Sequence, residues 1–433
     1  MAPRCDRNIP AGSGPADAAK SAPQDQPGCR HCAAPLTRVF VDLGSAPPSN
    51  AYLAPADLQK PEIWLPLRVL YCDQCWLVQT QDFAAADSLF TSDYAYFSSM
   101  SASWLDHAAR YAEQMTARFG LGKGSMVVEI ASNDGYLLKN FQTAGIPCLG
   151  VEPTAAVAAE ARKLGIETRE IFFGVETAHK LAAEGISAKL MAANNVLAHV
   201  PDINDFVGGF KVLLAADGVA TFEFPHLLNL VRLNQFDTIY HEHFSYLSLL
   251  SVARIMRRQG LEVFDVEKLT THGGSLRVFV QHAGGPQQAS DAVQALLDEE
   301  TGAGMDTPAF YEGFQNTVEG MKDALLSFLI DAKNAGKTVA AYGAAAKGNT
   351  FLNFAGVRPD LIRFVVDRSP GKQGRYMPGS RIPIVSEETI RETRPDYVLI
   401  LPWNLRTELS DQLAYIRDWQ GQFVVAVPKL EVF

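Results

Sequence analysis

The sequence predicts an α/β protein in three parts: a small metal-stapled lobe, a doubly wound parallel sheet, and a second Rossmann-like unit. Two cysteine pairs, Cys29/Cys32 and Cys72/Cys75, are each spaced C-x-x-C and are separated by 39 residues. From Ser125 onward, short apolar runs alternate with helix-forming segments, the pattern of a parallel sheet whose ligands sit at the carboxyl ends of its strands. The alternation begins again at T-V-A-A-Y-G, residues 338–343.

A chain of 433 residues exceeds what one core organises and implies two or three domains. With 48 acidic against 38 basic residues, a net charge of -10 and no Lys/Arg run to track phosphates, the composition argues against a nucleic-acid partner. No apolar run has the length of a membrane span. Residues 1–26 hold hardly a large hydrophobe and lack the charged-then-apolar layout of a signal peptide, so a disordered tail on a soluble, cytoplasmic protein is expected.

The lobe expected over residues 27–90 carries its cysteines in G-C-R-H-C-A-A-P and L-Y-C-D-Q-C-W-L. In a cytoplasmic chain this spacing reads as metal, not disulfide. Four thiolates (Cys29, Cys32, Cys72, Cys75) complete a tetrahedral zinc shell and leave no position for water, so the site is structural. His31, inside the first knuckle, is an alternative ligand that four thiolates make unnecessary. A redox C-x-x-C competes, but two pairs bracketing one small lobe are hard to explain that way. Cys5 lies in the tail, and Cys148 reads as a buried strand residue. Next, D-Y-A-Y-F-S-S-M turns into a helix near Ser101 to Phe119; Tyr94 and Tyr96 are either packing residues or lids over the following pocket.

The middle part, expected over residues 91–262, opens with the strand M-V-V-E-I-A and a turn of Glu129, Ala131, Ser132, Asn133, Asp134 and Gly135. This is not the G-x-G-x-x-G of dinucleotide sites. An acid at a strand end followed by a tight small-residue turn suits S-adenosylmethionine, whose amino-acid end the backbone must approach. The next strand ends in Glu152-Pro153, where a carboxylate can accept from both ribose hydroxyls, as ribose-binding acids of such folds do. The two acids stand 23 residues apart, the reach of a strand-helix-strand unit; ordinary turn and cap residues are the competing reading. N-N-V-L-A-H-V-P-D brings Asn195 and His199 to the same edge. After the strand V-A-T-F-E-F comes D-T-I-Y-H-E-H-F-S-Y-L-S-L, which sets Tyr240, His241, Glu242 and His243 in an apolar run. Ionisable groups there are costly unless paired, and burial shifts pKa values, which acid–base catalysis uses. A satisfied polar cluster at a helix start is the alternative.

The last part, expected over residues 263–433, contains T-T-H-G-G-S-L-R-V-F-V, with Gly273 and Gly274 punctuating a strand start, and an acidic helical stretch from Ser290 to Asn334. In T-V-A-A-Y-G-A-A-A-K-G-N a strand, a glycine turn and a helix follow one another. Helix N-termini after such turns bind phosphate, and Lys347 would add charge. The segment lacks G-x-x-x-x-G-K-[ST], so nucleotide hydrolysis is not implied. A purely structural Rossmann-like half competes.

Together the two knuckles, E-I-A-S-N-D-G, N-N-V-L-A-H-V-P-D, D-T-I-Y-H-E-H-F-S-Y, H-G-G-S-L-R and G-A-A-A-K-G-N resemble the nucleotide-sugar C-methyltransferases, which add a branching methyl at C3 of TDP-4-keto-deoxysugars. The resemblance runs from Cys29 nearly to Phe433. It implies a zinc-binding lobe, a central class I methyltransferase domain holding S-adenosylmethionine, and a C-terminal Rossmann-like domain that helps bind the nucleotide sugar, with His272, Lys347 and Asn349 at the substrate. It implies His243 as general base, with Tyr240, Glu242, His199 and Tyr94 around the substrate; the chemistry alone requires only one histidine of the two. Ala131 departs from the family, which favours glycine there, and fits if that residue keeps φ negative.

A saturated sugar carbon has no lone pair to offer an electrophilic methyl. Deprotonation beside a 4-keto group creates one, which needs a base near neutral pKa and donors at the enolate oxygen. Histidine supplies the base; Tyr240, His199 or Tyr94 could donate; Glu242 orients a histidine or holds a sugar substituent. The alternatives are an O- or N-methyltransferase, with His243 deprotonating a hydroxyl or amine, and a non-catalytic nucleotide-sugar or zinc interaction protein.

Overall fold

The computed structural model describes residues 27–83 and 98–433. The expected tail, Tyr94 and Tyr96 lie outside the described residues. The α/β class is as expected, and the strands form three sheets.

The central sheet contains β1 (Val127–Ile130), β2 (Cys148–Val151), β3 (Thr168–Arg169), β4 (Ala188–Asn194), β5 (Leu214–Pro225), β6 (Leu261–Leu269) and β7 (Ser275–His282). Their order is β3-β2-β1-β4-β5-β7-β6. The first five run parallel, and β7 is antiparallel to both of its neighbours. All of β1 is buried, as a strand covered on both faces must be. The order reverses between β1 and β4, so the loops leaving them part and open a crevice at their carboxyl ends.

A helix over Ala102–Phe119 leads into β1. The Ser101 hydroxyl caps it by accepting from the Trp104 N–H at 3.3 Å, and Gly120, at φ +58, ends it. Ala108, Tyr111, Ala112 and Met115 recur at helical spacing and bury one face against the sheet.

The boundary expected at residue 262 falls inside the central sheet. β6 crosses it and β7 follows it, so the sheet extends to His282. The glycine pair at 273–274 punctuates the start of β7, as expected, and forms the turn of the hairpin that ends the sheet.

The N-terminal lobe is an antiparallel sheet of Arg38–Ala46, Leu65–Tyr71 and Val78–Thr80. Its fourth strand is Ser245–Tyr246, the continuation of the Tyr240–His243 stretch. The lobe packs on the C-terminal part: Phe40 stacks on Phe314 at 4.7 Å, and Tyr71 on Tyr311 at 4.4 Å.

The third sheet has the order Ile384–Val385, Val365–Val366, Val339–Tyr342, Tyr397–Ile400, Gln422–Val425, Glu431–Val432. All pairs but the last are parallel, and the order again reverses beside Val339–Tyr342. Gly343 follows that strand at φ +95, where a Cβ would meet Pro402 at 2.5 Å; only glycine makes this turn. No described helix is long and apolar enough to cross a membrane.

Candidate active site

The four predicted cysteines converge, with their sulfurs all within 4.8 Å of one another. Each knuckle is closed by its own backbone: Ala33 N–H donates to Cys29 O at 2.8 Å and Trp76 N–H to Cys72 O at 2.9 Å, with Ala33 and Trp76 both left-handed. His31 points away, its Nδ1 lying 2.9 Å from Asn204 Oδ1. An all-thiol, largely buried donor set of this size fits zinc and offers no room for a fifth group.

The predicted cofactor turn lies at the crevice between β1 and β4. Ala131, Asn133 and Gly135 have φ of +57, +50 and +79, so the chain reverses sharply after β1. The condition that alanine keeps φ negative is therefore not met; a left-handed alanine costs about 1 kcal/mol. Glu152 takes a backbone N–H on each oxygen, from Asn133 at 3.0 Å and Thr154 at 2.8 Å, and burial raises its pKa. Pro153 follows, half-buried. Asn195 is left-handed as well, and its N–H donates to Glu223 O at 2.8 Å.

Among the described residues, several buried polar atoms around this crevice have no hydrogen-bond partner: Ser132 Oγ, Asp134 Oδ1 and Asn194 Oδ1. Burial pushes Glu129 well above the ordinary carboxylate range, relieved in part by Tyr136. Polar atoms are seldom left this way unless a ligand satisfies them, so the set fits a polar cofactor. Over the turn, Ser98 N–H donates to Asn133 Oδ1 at 2.9 Å and Ser99 N–H to Asp134 Oδ2 at 3.1 Å.

The Tyr240–His243 stretch forms a buried network. His243 Nδ1 lies 2.7 Å from Thr238 O, and its Nε2 lies 2.8 Å from the Tyr240 hydroxyl. A carbonyl only accepts, so Nδ1 carries the proton and Nε2 is the acceptor. His199 is fixed in the same way, its Nδ1–H donating to Glu242 O at 2.8 Å. In the neutral ring its Nε2 is thus an acceptor. The two rings meet edge to face at 4.6 Å. Burial, reinforced by His199, holds His243 well below the ordinary imidazole pKa, and burial pushes His199 down to about 4. Glu242 is raised by burial; Asn50 donates to its Oε1 at 3.2 Å, while Oε2 has no partner among the described residues. His241 reaches the lobe instead, donating to Pro66 O at 3.2 Å.

The predicted substrate residues divide. Lys347 stands at the start of the helix Ala346–Phe354, its ammonium 4.9 Å from the Trp403 ring centre and 3.5 Å from Asn404 Oδ1. Trp403 Nε1–H donates to Asp237 Oδ2 at 2.8 Å. Burial lifts Asp237 to about 6 and lowers Lys347. His272, held at about 4 by burial and by Lys347, lies edge-on to Trp104 at 5.2 Å. Gly273 beside it is left-handed, and a Cβ there would meet Trp403 at 2.4 Å. Asn349 is different: its side chain is buried and donates to Ser49 O at 2.6 Å, tying the helix to the lobe's proline loop. Sequence reasoning passed over Asp237, Trp403, Trp104 and Asn194. Asp237 opened the stretch singled out, but nothing local announces a partner at residue 403.

Residues 29–90 match a zinc binding domain, 104–266 a methyltransferase domain and 270–428 the C-methyltransferase C-terminal domain. The chain is 36% identical over 404 residues to the C-methyltransferase NovU of Streptomyces niveus, covering 93% of this chain and 96% of that one. The protein belongs to the C-methyltransferase family. Among solved structures, an S-adenosylmethionine-dependent methyltransferase from Clostridium acetobutylicum overlaps 42% of this chain and 92% of its own at 11% identity and a TM-score of 0.34. Magnesium protoporphyrin IX methyltransferase from Synechocystis overlaps 41% and 78% at 14% identity and 0.31. Overlaps this weak decide nothing further. This C-methyltransferase is an enzyme that uses S-adenosylmethionine, and its four clustered cysteines are a zinc site.

Proposed function

We propose that this C-methyltransferase methylates C3 of a nucleotide-linked 4-keto-deoxysugar, with His243 as the base that forms the enolate. The observation that carries the reading is the buried Thr238–His243–Tyr240 chain, which holds a neutral imidazole with its acceptor nitrogen against a phenol. S-adenosylmethionine, when bound, supplies the electrophilic methyl. His243 Nε2 takes the C3 proton, and for that the Tyr240 hydroxyl must turn away from it. The ketone oxygen, where negative charge develops, is the acceptor it turns to, so one rotation frees the base and stabilises the enolate. His199 Nε2 accepts from a sugar hydroxyl. Glu242 holds a sugar substituent; its raised pKa lessens the repulsion of an enolate.

The central sheet forms the cofactor domain. The turn Ala131–Gly135 lets the backbone approach the amino-acid end, Glu129, Asp134 and Asn195 complete the crevice, and Glu152 with Pro153 serves the ribose. The C-terminal unit holds the nucleotide sugar: the Lys347 ammonium draws the diphosphate at a helix N-terminus and His272 lines the wall. Such an enzyme belongs to deoxysugar biosynthesis.

The test is His243→Asn, whose amide can still donate to Thr238 O. S-adenosylmethionine affinity by calorimetry is expected to hold, while turnover falls about 100- to 10,000-fold. Washout of a C3 deuterium at the wild-type rate in this variant would refute the assignment.

A further inference from the structure

We propose that Thr80 is a positioning residue for His243, through which the first zinc knuckle acts on the reaction. The proposal rests on His243 being the base.

Thr80 ends the lobe strand Val78–Thr80. Its hydroxyl donates to the His243 carbonyl at 2.6 Å, and its N–H donates to Phe244 O at 3.1 Å. Strand pairing alone would need only the second of these. The first fixes the main chain of His243 from the lobe side, while Thr238 O fixes the ring from the other. Held at both points, the imidazole cannot slide or rotate without losing a buried hydrogen bond.

The hold continues into the knuckle. Gln79, paired with Ser245, donates from Nε2 to Cys29 Sγ at 3.2 Å, and its Oε1 accepts from Arg30 N–H at 2.9 Å. Arg30 lies between Cys29 and Cys32, and only 7% of its side chain is exposed. Its guanidinium donates to Thr80 O at 2.9 Å and to Pro201 O at 2.7 Å, and it covers the Phe244 ring at 5.3 Å. A fold staple needs none of these bonds aimed at the residue next to the base. Metal-fixed cysteines thus set Gln79 and Arg30, these set Thr80, and Thr80 sets His243.

The experiment uses the full-length zinc-loaded protein and whichever TDP-, CDP- or GDP-linked 4-keto-deoxysugar the wild type methylates. Exchange of the C3 hydrogen in D2O is followed by mass spectrometry in the presence of S-adenosylhomocysteine. Thr80→Val, which keeps shape and loses the hydroxyl, is expected to slow exchange about 10- to 100-fold with KM and S-adenosylmethionine affinity near wild type. Thr80→Ser is expected to restore the rate, and Arg30→Gln, which loosens the clamp without touching the strand interior, to lower kcat in the same direction should Thr80→Val not fold. Equal losses in Thr80→Val and Thr80→Ser, or exchange at the wild-type rate in the folded Thr80→Val or Arg30→Gln proteins, would overturn the proposal. Wild-type exchange in His243→Asn would remove the base assignment and the proposal with it, whereas slow exchange there beside fast exchange in Thr80→Val removes only the proposal.

Discussion

Acidification from pH 7.5 to 5.5 separates this site from an ordinary imidazole. A base titrating near 6.5 would lose about tenfold in kcat/KM over that interval. His243 is held well below that value by burial and His199, so kcat/KM, which reports the free enzyme, is expected to stay within about twofold. Stability should behave differently. A histidine whose folded pKa lies below its unfolded one contributes stability that is present above about 6.5 and is lost as pH falls toward the folded pKa. His199 and His272, both near 4, each lose at most about 1.4 kcal/mol by pH 5.5, an upper figure because both keep some surface open. Asp237, lifted to about 6, has the opposite sign: its contribution is present at low pH and lost as pH rises through 6, so it returns under about 1 kcal/mol. These three groups together give a loss of about 2 kcal/mol, His243 adds to it in the same direction, and the sum is read as a lower denaturant midpoint at pH 5.5. Initial rates over short incubations keep the two effects apart. His199→Gln, whose amide can still donate to Glu242 O, should recover up to about 1.4 kcal/mol of the lost stability. A kcat/KM midpoint near 6.5 would refute the neutral, buried base.

Cys72→Ser should abolish stoichiometric zinc by elemental analysis and unfold the lobe; a wild-type protein containing no zinc would overturn the site. Ala131→Gly relieves a left-handed alanine worth about 1 kcal/mol at an entropic cost near 0.5 kcal/mol, so thermal scans should show a small gain in stability, and a clear loss would mean that its Cβ packs usefully. Lys347→Met should raise KM for the nucleotide sugar about 10- to 100-fold with kcat little changed; a fall in kcat at constant KM would move Lys347 from diphosphate binding to the chemistry.

Features set by short spacing were legible in the sequence. Two C-x-x-C knuckles specify four thiols on one ion because each knuckle closes through its own backbone, and a strand, a small-residue turn and a helix specify a crevice because parallel strands need crossovers. The end of the central sheet was not legible. β7 alternates like any strand, and whether such a strand closes one sheet or opens the next is decided by its partner, β5, which lies fifty residues upstream. Ala131 shows another limit: a glycine announces a positive φ, whereas an alanine forced into one by the turn around it looks like any other alanine.

The Tyr240–His243 stretch shows why composition and chemistry part company. Its residue types marked it as acid–base equipment, but what each ring can do depends on a carbonyl supplied from elsewhere. His243 and His199 are the same residue, both buried, both neutral, and 4.6 Å apart. His199 takes its proton's direction from Glu242 O, 43 positions away, and His243 from Thr238 O, five positions back. The second arrangement directs the acceptor nitrogen at a phenol that can exchange it for a substrate oxygen. No spacing rule carries that information, because a main-chain carbonyl belongs to every residue and its identity is invisible in the side chain. The bonds that select among histidines are therefore the ones a sequence records least, and the contact from Thr80, 163 positions from His243, is of the same kind.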